Sequence, residues 1–166
     1  MKDENELITD LTQNYQKQLQ LYKKLLKYTK KQYKNILNDD LENLDQINKQ
    51  KEEIIKSIKD LQQNIYPSRE KLAIKFKIEN NEEFIYSLLQ KNIIGKEKLK
   101  KIGKRLIKTI NEVKETTQKL KELIKEKNDN LQSEIEQLSN GKKLFDSYNT
   151  SNNSTATEGK FIDDKS

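Results

Sequence analysis

The chain has 166 residues, 36% of them charged and 32% hydrophobic, with a formal net charge of +6. So little apolar material excludes a thick globular core, while abundant periodic Leu and Ile exclude full disorder; long helices that each bury one narrow stripe satisfy both limits. Cys and His are absent, which removes disulfides, thiolate chemistry and the commonest general base and metal ligand, so no catalytic residue, cofactor or metal is expected.

No Gly-rich phosphate loop is present, and the paired carboxylates Asp39-Asp40 and Asp163-Asp164 read as a turn and a tail. The start, MKDENELITD, lacks the charged-then-apolar order of a signal peptide, and no apolar run approaches a membrane span. Cytoplasm without membrane insertion is the expected compartment. The positive charge is carried almost wholly by Lys, Arg69 and Arg105 being the two Arg residues, and it points only weakly to nucleic acid.

The first helix is predicted over residues 5–37. Leu7, Ile8, Leu11, Tyr15, Leu19, Tyr22, Leu26, Tyr33 and Leu37 form its apolar stripe. Lys17, Lys23, Lys24, Lys27, Lys30, Lys31 and Lys34 crowd the opposite surface, either as a patch for an acidic partner or as a solvated face; the solvated face is preferred. Asp39 with Glu42 three residues later fits a capping box, and a connection this short makes the next helix an antiparallel neighbour.

The second helix is expected over 40–66, with Leu37, Leu44, Lys51, Ile58 and Ile65 on one seam line and Asp40, Ile47, Ile54 and Leu61 on the other. Lys51 interrupts its seam, either snorkelling to solvent or setting register; snorkelling is preferred. Pro67, the single proline, should end or bend this helix. Residues 68–94 then read as a broken helical stretch, with Asn80 and Glu83 as a cap for a segment carrying Phe84, Ile85, Leu88 and Leu89.

The last helix is predicted over 96–145. Its seam runs Leu99, Gly103, Leu106, Ile110, Val113, Thr117, Leu120, Ile124, Lys127, Leu131, Glu134, Leu138, Lys142, Phe145 in unbroken steps of four and three. At 1.5 Å per residue it spans on the order of 60 to 70 Å, more than the first two helices cover at about 50 Å or less. Part of its stripe should therefore stay uncovered, and the seam thins toward its end. The fold class is all-α: an antiparallel helical bundle or coiled coil over residues 1–147, followed by a flexible, disordered polar tail over 148–166.

Two segments resemble the FlgN family of flagellar type III export chaperones. In "LNDDLENLDQINKQKEEIIKSIKDLQQ", Asp40-Leu41-Glu42, Leu44, Ile47, Lys51-Glu52 and Ile55 follow that family's acidic turn, Leu-rich helix start and Lys-Glu pair. Arg69 falls where members often carry an Arg just past this helix. The end, "NGKKLFDSY", then a polar stretch, Gly159 and "FIDDKS", is similar to the family's basic helix end, Tyr-containing turn, Gly-bearing linker and terminal Asp-Lys segment. Members often carry a Gly about four residues after the Tyr; this chain has Asn152 there, so Tyr148 and Phe145 both remain candidates for the family's aromatic.

The resemblance implies a cytoplasmic chaperone for the flagellar hook-associated proteins, whose amphipathic C-terminal helices it would hold and deliver to the export gate, using no nucleotide or metal. Val113, Leu120, Ile124, Leu131, Leu138 and Phe145 would then form the face for a client helix. Tyr148, Phe161 and Ile162 would be apolar anchors of a tail that folds on binding. The alternative for Val113 to Ile124 is intramolecular core. A homodimeric coiled-coil scaffold is the main rival; monomer or weak self-association of the free chain would separate the two. A nucleic-acid or anionic-membrane binder is the other rival, resting on "KEKLKKIGKRLIK", and it lacks nearby aromatic residues for base stacking.

Overall fold

The computed structural model describes residues 2–93 and 95–162, with side chains as far as residue 150. Among the described residues the structure is helical without strands: α1 Glu4–Leu37, α2 Leu44–Phe76, α3 Phe84–Gln90 and α4 Lys96–Ile162. The chain divides into two compact units, Met1–Leu123 and Ile124–Ser166.

The first unit is the bundle. Asp3 caps α1: its side chain accepts from Glu6 N at 2.8 Å, and its own N–H donates to the Glu6 carboxylate at 3.2 Å. This reciprocal pair satisfies two N-terminal amides that the helix itself leaves without partners. The predicted capping box at Asp39 and Glu42 does not form. Asp39 instead takes a left-handed conformation (φ 56°) as Asp40 N–H reaches back to Asn35 O at 2.8 Å and Asp39 N–H to Ile36 O at 3.2 Å. That is a Schellman closure of α1, and Asp tolerates the left-handed region better than most side chains. Consequently α2 starts at Leu44, four residues after the predicted start.

Pro67 does not end its helix. It lies inside α2, which continues to Phe76. A proline in a helix interior removes one backbone hydrogen bond and costs about 3 kcal/mol, yet the turns beyond it bury Leu72 and Ala73. Burial of such side chains stabilises by about 1.5 to 3 kcal/mol for a Leu alone, enough to hold the helix through the proline. α2 ends in another Schellman closure: Ile78 N–H to Ala73 O at 3.0 Å, Lys77 N–H to Ile74 O at 3.3 Å, Lys77 at φ 52°. Asn80 does not cap α3; Asn81 Oδ1 accepts from Glu83 N at 2.9 Å instead.

Two apolar clusters give the helices their direction. The larger joins Leu7, Leu11, Tyr15 and Leu19 of α1 with Ile65 and Leu72 of α2, Phe84 and Leu88 of α3, and Leu99, Ile102 and Leu106 of α4. The smaller joins Leu25 of α1 with Ile54 and Ile58 of α2 and Val113 of α4. As α1 numbers rise between the clusters, α2 numbers fall and α4 numbers rise, so α2 is antiparallel to both. Arg69 sits within α2, not past its end as the resemblance placed it. Its guanidinium lies 4.6 Å from the Phe84 ring centroid, and its Nη2 donates to Asn81 O at 2.7 Å, so one side chain fastens the α2–α3 connection.

The second unit consists, in its described part, of the continuing α4 helix. The helix passes the predicted end at Phe145 and reaches Ile162. No proline follows Pro67, and the Gly at 141 costs a helix about 1 kcal/mol without forbidding it.

Candidate functional site

Along α4 the predicted partner face separates into a covered and an open part. Val113 and Leu120 are 8% and 4% exposed. Val113 packs in the smaller cluster against Leu25, Ile54 and Ile58. These two residues belong to the interior of the first unit, the outcome that identical spacing for core and client faces had left open.

From Ile124 onward the apolar residues of the seam are solvent-facing. Leu131 is 56% exposed and Leu138 74%, and Phe145 and Tyr148 are exposed as well. Ile124, Leu131, Leu138 and Phe145 recur at seven-residue intervals, so on a straight helix they drift by about 20° per repeat and stay on one side. Tyr148 lies three residues beyond Phe145, at the margin of that side. Phe161 and Ile162 are the last helical residues of α4, and their side chains lie outside the described ones.

Two exposed apolar residues on this segment were not read from the sequence, Ile135 and Leu144. Ile135 had a usable signal: it lies four residues after Leu131 and three before Leu138, the i, i+4, i+7 spacing of one helix face. Tracing the seam through Glu134 passed over it. With Ile135 included, the open stripe is wider than the strict heptad line and suits an amphipathic helix more than a flat contact.

Polar residues break this stripe at Glu134 and Lys142 and bring both charge signs to it. Among the described residues, no group of three or more His, Cys, Asp or Glu is placed to hold a metal ion. Among the described residues, no helix is long and apolar enough to cross a membrane. What the segment offers is exposed apolar area at helical spacing.

A polar network with a buried member lies elsewhere, between α1 and α2. Gln32, itself buried, receives a hydrogen bond from Lys51 Nζ at 2.7 Å and donates through Nε2 to Asn48 Oδ1 at 2.8 Å. Burial lowers the Lys51 pKa from its ordinary value. Lys51 is therefore a paired seam residue and not a snorkelling one. Tyr15, in the larger cluster, has its pKa raised by burial, which outweighs the opposing charge of Arg69.

Comparison with curated proteins and with solved structures gives no match in either set. A family model described as "FlgN protein" matches residues 1–155. That span includes the whole bundle, the open segment of α4 and every exposed apolar residue described on it, and the chain belongs to the FlgN family.

Proposed function

We propose that this chain is a cytoplasmic export chaperone that holds the amphipathic C-terminal helices of flagellar hook-associated proteins and brings them to the export gate. The observation that carries this reading is the exposed stripe of Leu131, Ile135, Leu138 and Phe145 on α4, in a chain of the FlgN family. An amphipathic client helix is insoluble or sticky until it assembles, and an apolar stripe of matching periodicity shields it. Polar interruptions at Glu134 and Lys142 keep the contact weaker than a permanent core, as release at the gate requires. Tyr148 or Phe145 is the aromatic we assign to the gate, with Phe161 and Ile162 as further anchors.

The test is titration calorimetry of the full chain against the C-terminal segment of a hook-associated protein from the same organism. One-to-one binding by the native chain, lost in the Leu131→Asp/Leu138→Asp variant with circular dichroism unchanged, supports the proposal. The same stripe suits a second copy of the chain, which is the scaffold reading. Light scattering decides it: a stable dimer that the client does not dissociate would replace the chaperone reading.

A further inference from the structure

Two lysine-rich stretches that lie far apart in the sequence meet on one face of the first unit. Lys23, Lys27 and Lys30 of α1 and Arg105 and Lys108 of α4 line a single open groove of about 640 Å³, with Leu26 and Thr109 between them and Glu112 at its edge. Lys23, Lys27 and Lys30 recur at i, i+4, i+7, and Arg105 and Lys108 at i, i+3, so each set projects from one side of its helix. Among the described residues none of these five cations is in an ion pair. Lys108 and Glu112 also border a second groove, which leads past Lys104 and Ile107 to the exposed Tyr86 of α3.

Five cations and one carboxylate, Glu112, line this groove, and the cations' excess positive charge is one that an anionic partner would relieve. The chemistry of the lining narrows that partner. Four of the five cations are Lys, whereas paired phosphate recognition favours the planar fork of Arg. Tyr86 is the one aromatic side chain along these grooves, too few for a base-stacking platform. Leu26 and Ile107 line the concavities and are only partly exposed, whereas insertion into a lipid surface needs apolar side chains standing outward. A Glu at the edge opposes a continuous row of phosphates and accepts the occasional cation of a mixed sequence.

We propose that this groove between α1 and α4 is a second docking site, for an acidic amphipathic protein segment whose carboxylates meet the Lys/Arg rim while apolar residues contact Leu26 within it and Ile107 in the adjoining groove. It lies wholly within Met1–Leu123 and uses none of the residues assigned to the client helix. It therefore stands or falls independently of that assignment.

The experiment is calorimetry of the full-length protein with a synthetic acidic peptide of about 20 residues, Glu-rich with Leu at i, i+4, i+7 spacing. Lys27→Glu/Arg105→Glu/Lys108→Glu should weaken binding at least about ten-fold, because rim charges of the wrong sign repel the peptide. Lys49→Glu/Lys56→Glu/Lys59→Glu, the same change of charge on exposed positions of α2, should leave it within about two-fold. Circular dichroism checks the fold, and the corresponding Gln triple variant repeats the test without charge reversal. Absence of peptide binding, equal weakening by the α2 variant, or equal affinity for plain polyglutamate would overturn the proposal. Tighter binding to phosphatidylglycerol vesicles or a single-stranded oligonucleotide would overturn it in favour of those ligands. Binding of the hook-associated segment, measured on the same variants, should be unchanged, so failure of either assignment is visible separately.

Discussion

Lys51 Nζ donates to Gln32 Oε1 at 2.7 Å, which ties the first third of α2 to the last third of α1. The bond places a polar pair at a position where the heptad pattern calls for an apolar one. Such a pair matters less for its net energy than for the alternatives it penalises, since sliding α2 by one turn would strand both groups. Gln32→Leu alone should destabilise the bundle by about 1 to 3 kcal/mol, because Lys51 loses its partner in a partly desolvated place. Gln32→Leu/Lys51→Leu should recover most of that loss. Urea unfolding of the two single variants and the double variant measures the coupling directly; additive losses would remove the pairing argument.

Lys51 also predicts a pH dependence. Burial lowers its pKa in the folded chain below the ordinary 10.5. Between the folded and unfolded values the unfolded chain binds more protons, so this group's contribution to stability rises with pH across that window. Below the lowered pKa the residue is charged in both states and the penalty of burying the charge is constant. The stability of the native chain relative to Lys51→Met should therefore increase as pH is raised from 7 toward 10.5, and a flat difference would refute the assignment.

Pro67 is exposed and interrupts α2 without ending it. Pro67→Ala restores one backbone donor and removes a ring clash, at a position with no packing to lose. It should stabilise the protein by about 1 to 3 kcal/mol, seen as a higher urea midpoint. A loss of stability would mean that the proline sets a bend on which the packing of Leu72 depends.

Gly103 and Gly141 of α4 should respond oppositely. A Cβ on Gly103 would lie 3.1 Å from Ile85 Cγ2 and 3.3 Å from Leu89 Cδ1, where α3 packs on α4. Gly103→Val adds branched bulk to that contact and should cost about 1 to 3 kcal/mol. At Gly141 an added Cβ meets nothing within 4 Å. Gly141→Ala should raise helicity by circular dichroism, with a local gain of about 1 kcal/mol.

Burial separates the candidate partner residues into two behaviours. Val113→Ala and Leu120→Ala should each lower stability, by about 1 to 3 and 2 to 5 kcal/mol respectively, because both side chains are buried. Leu138→Ala and Phe145→Ala change exposed positions and should shift stability by no more than about 0.5 kcal/mol. Their effect should appear in client affinity, which calorimetry resolves from unfolding. If all four behaved alike in unfolding, the open stripe would be structural.

Periodicity is a local property, and it determined most of the architecture before any contact was known. Steps of three and four place Leu7 to Leu19 on one side of α1, and seven-residue repeats place Ile54, Ile58 and Ile65 on one side of α2; all of these are buried. The same rule also traced Leu131, Leu138 and Phe145, but it could not separate them from Val113 and Leu120. A repeat encodes which side of a helix is apolar, and only the neighbouring helices decide where along its length that side is covered. Tertiary packing also carried α2 through Pro67, since burial of Leu72 and Ala73 outweighs one lost hydrogen bond. It closed α1 through a left-handed Asp39 in place of the expected cap, and it paired Lys51 with Gln32. It brought Lys23, Lys27 and Lys30 beside Arg105 and Lys108, a convergence that distance along the chain conceals because charge acts through space.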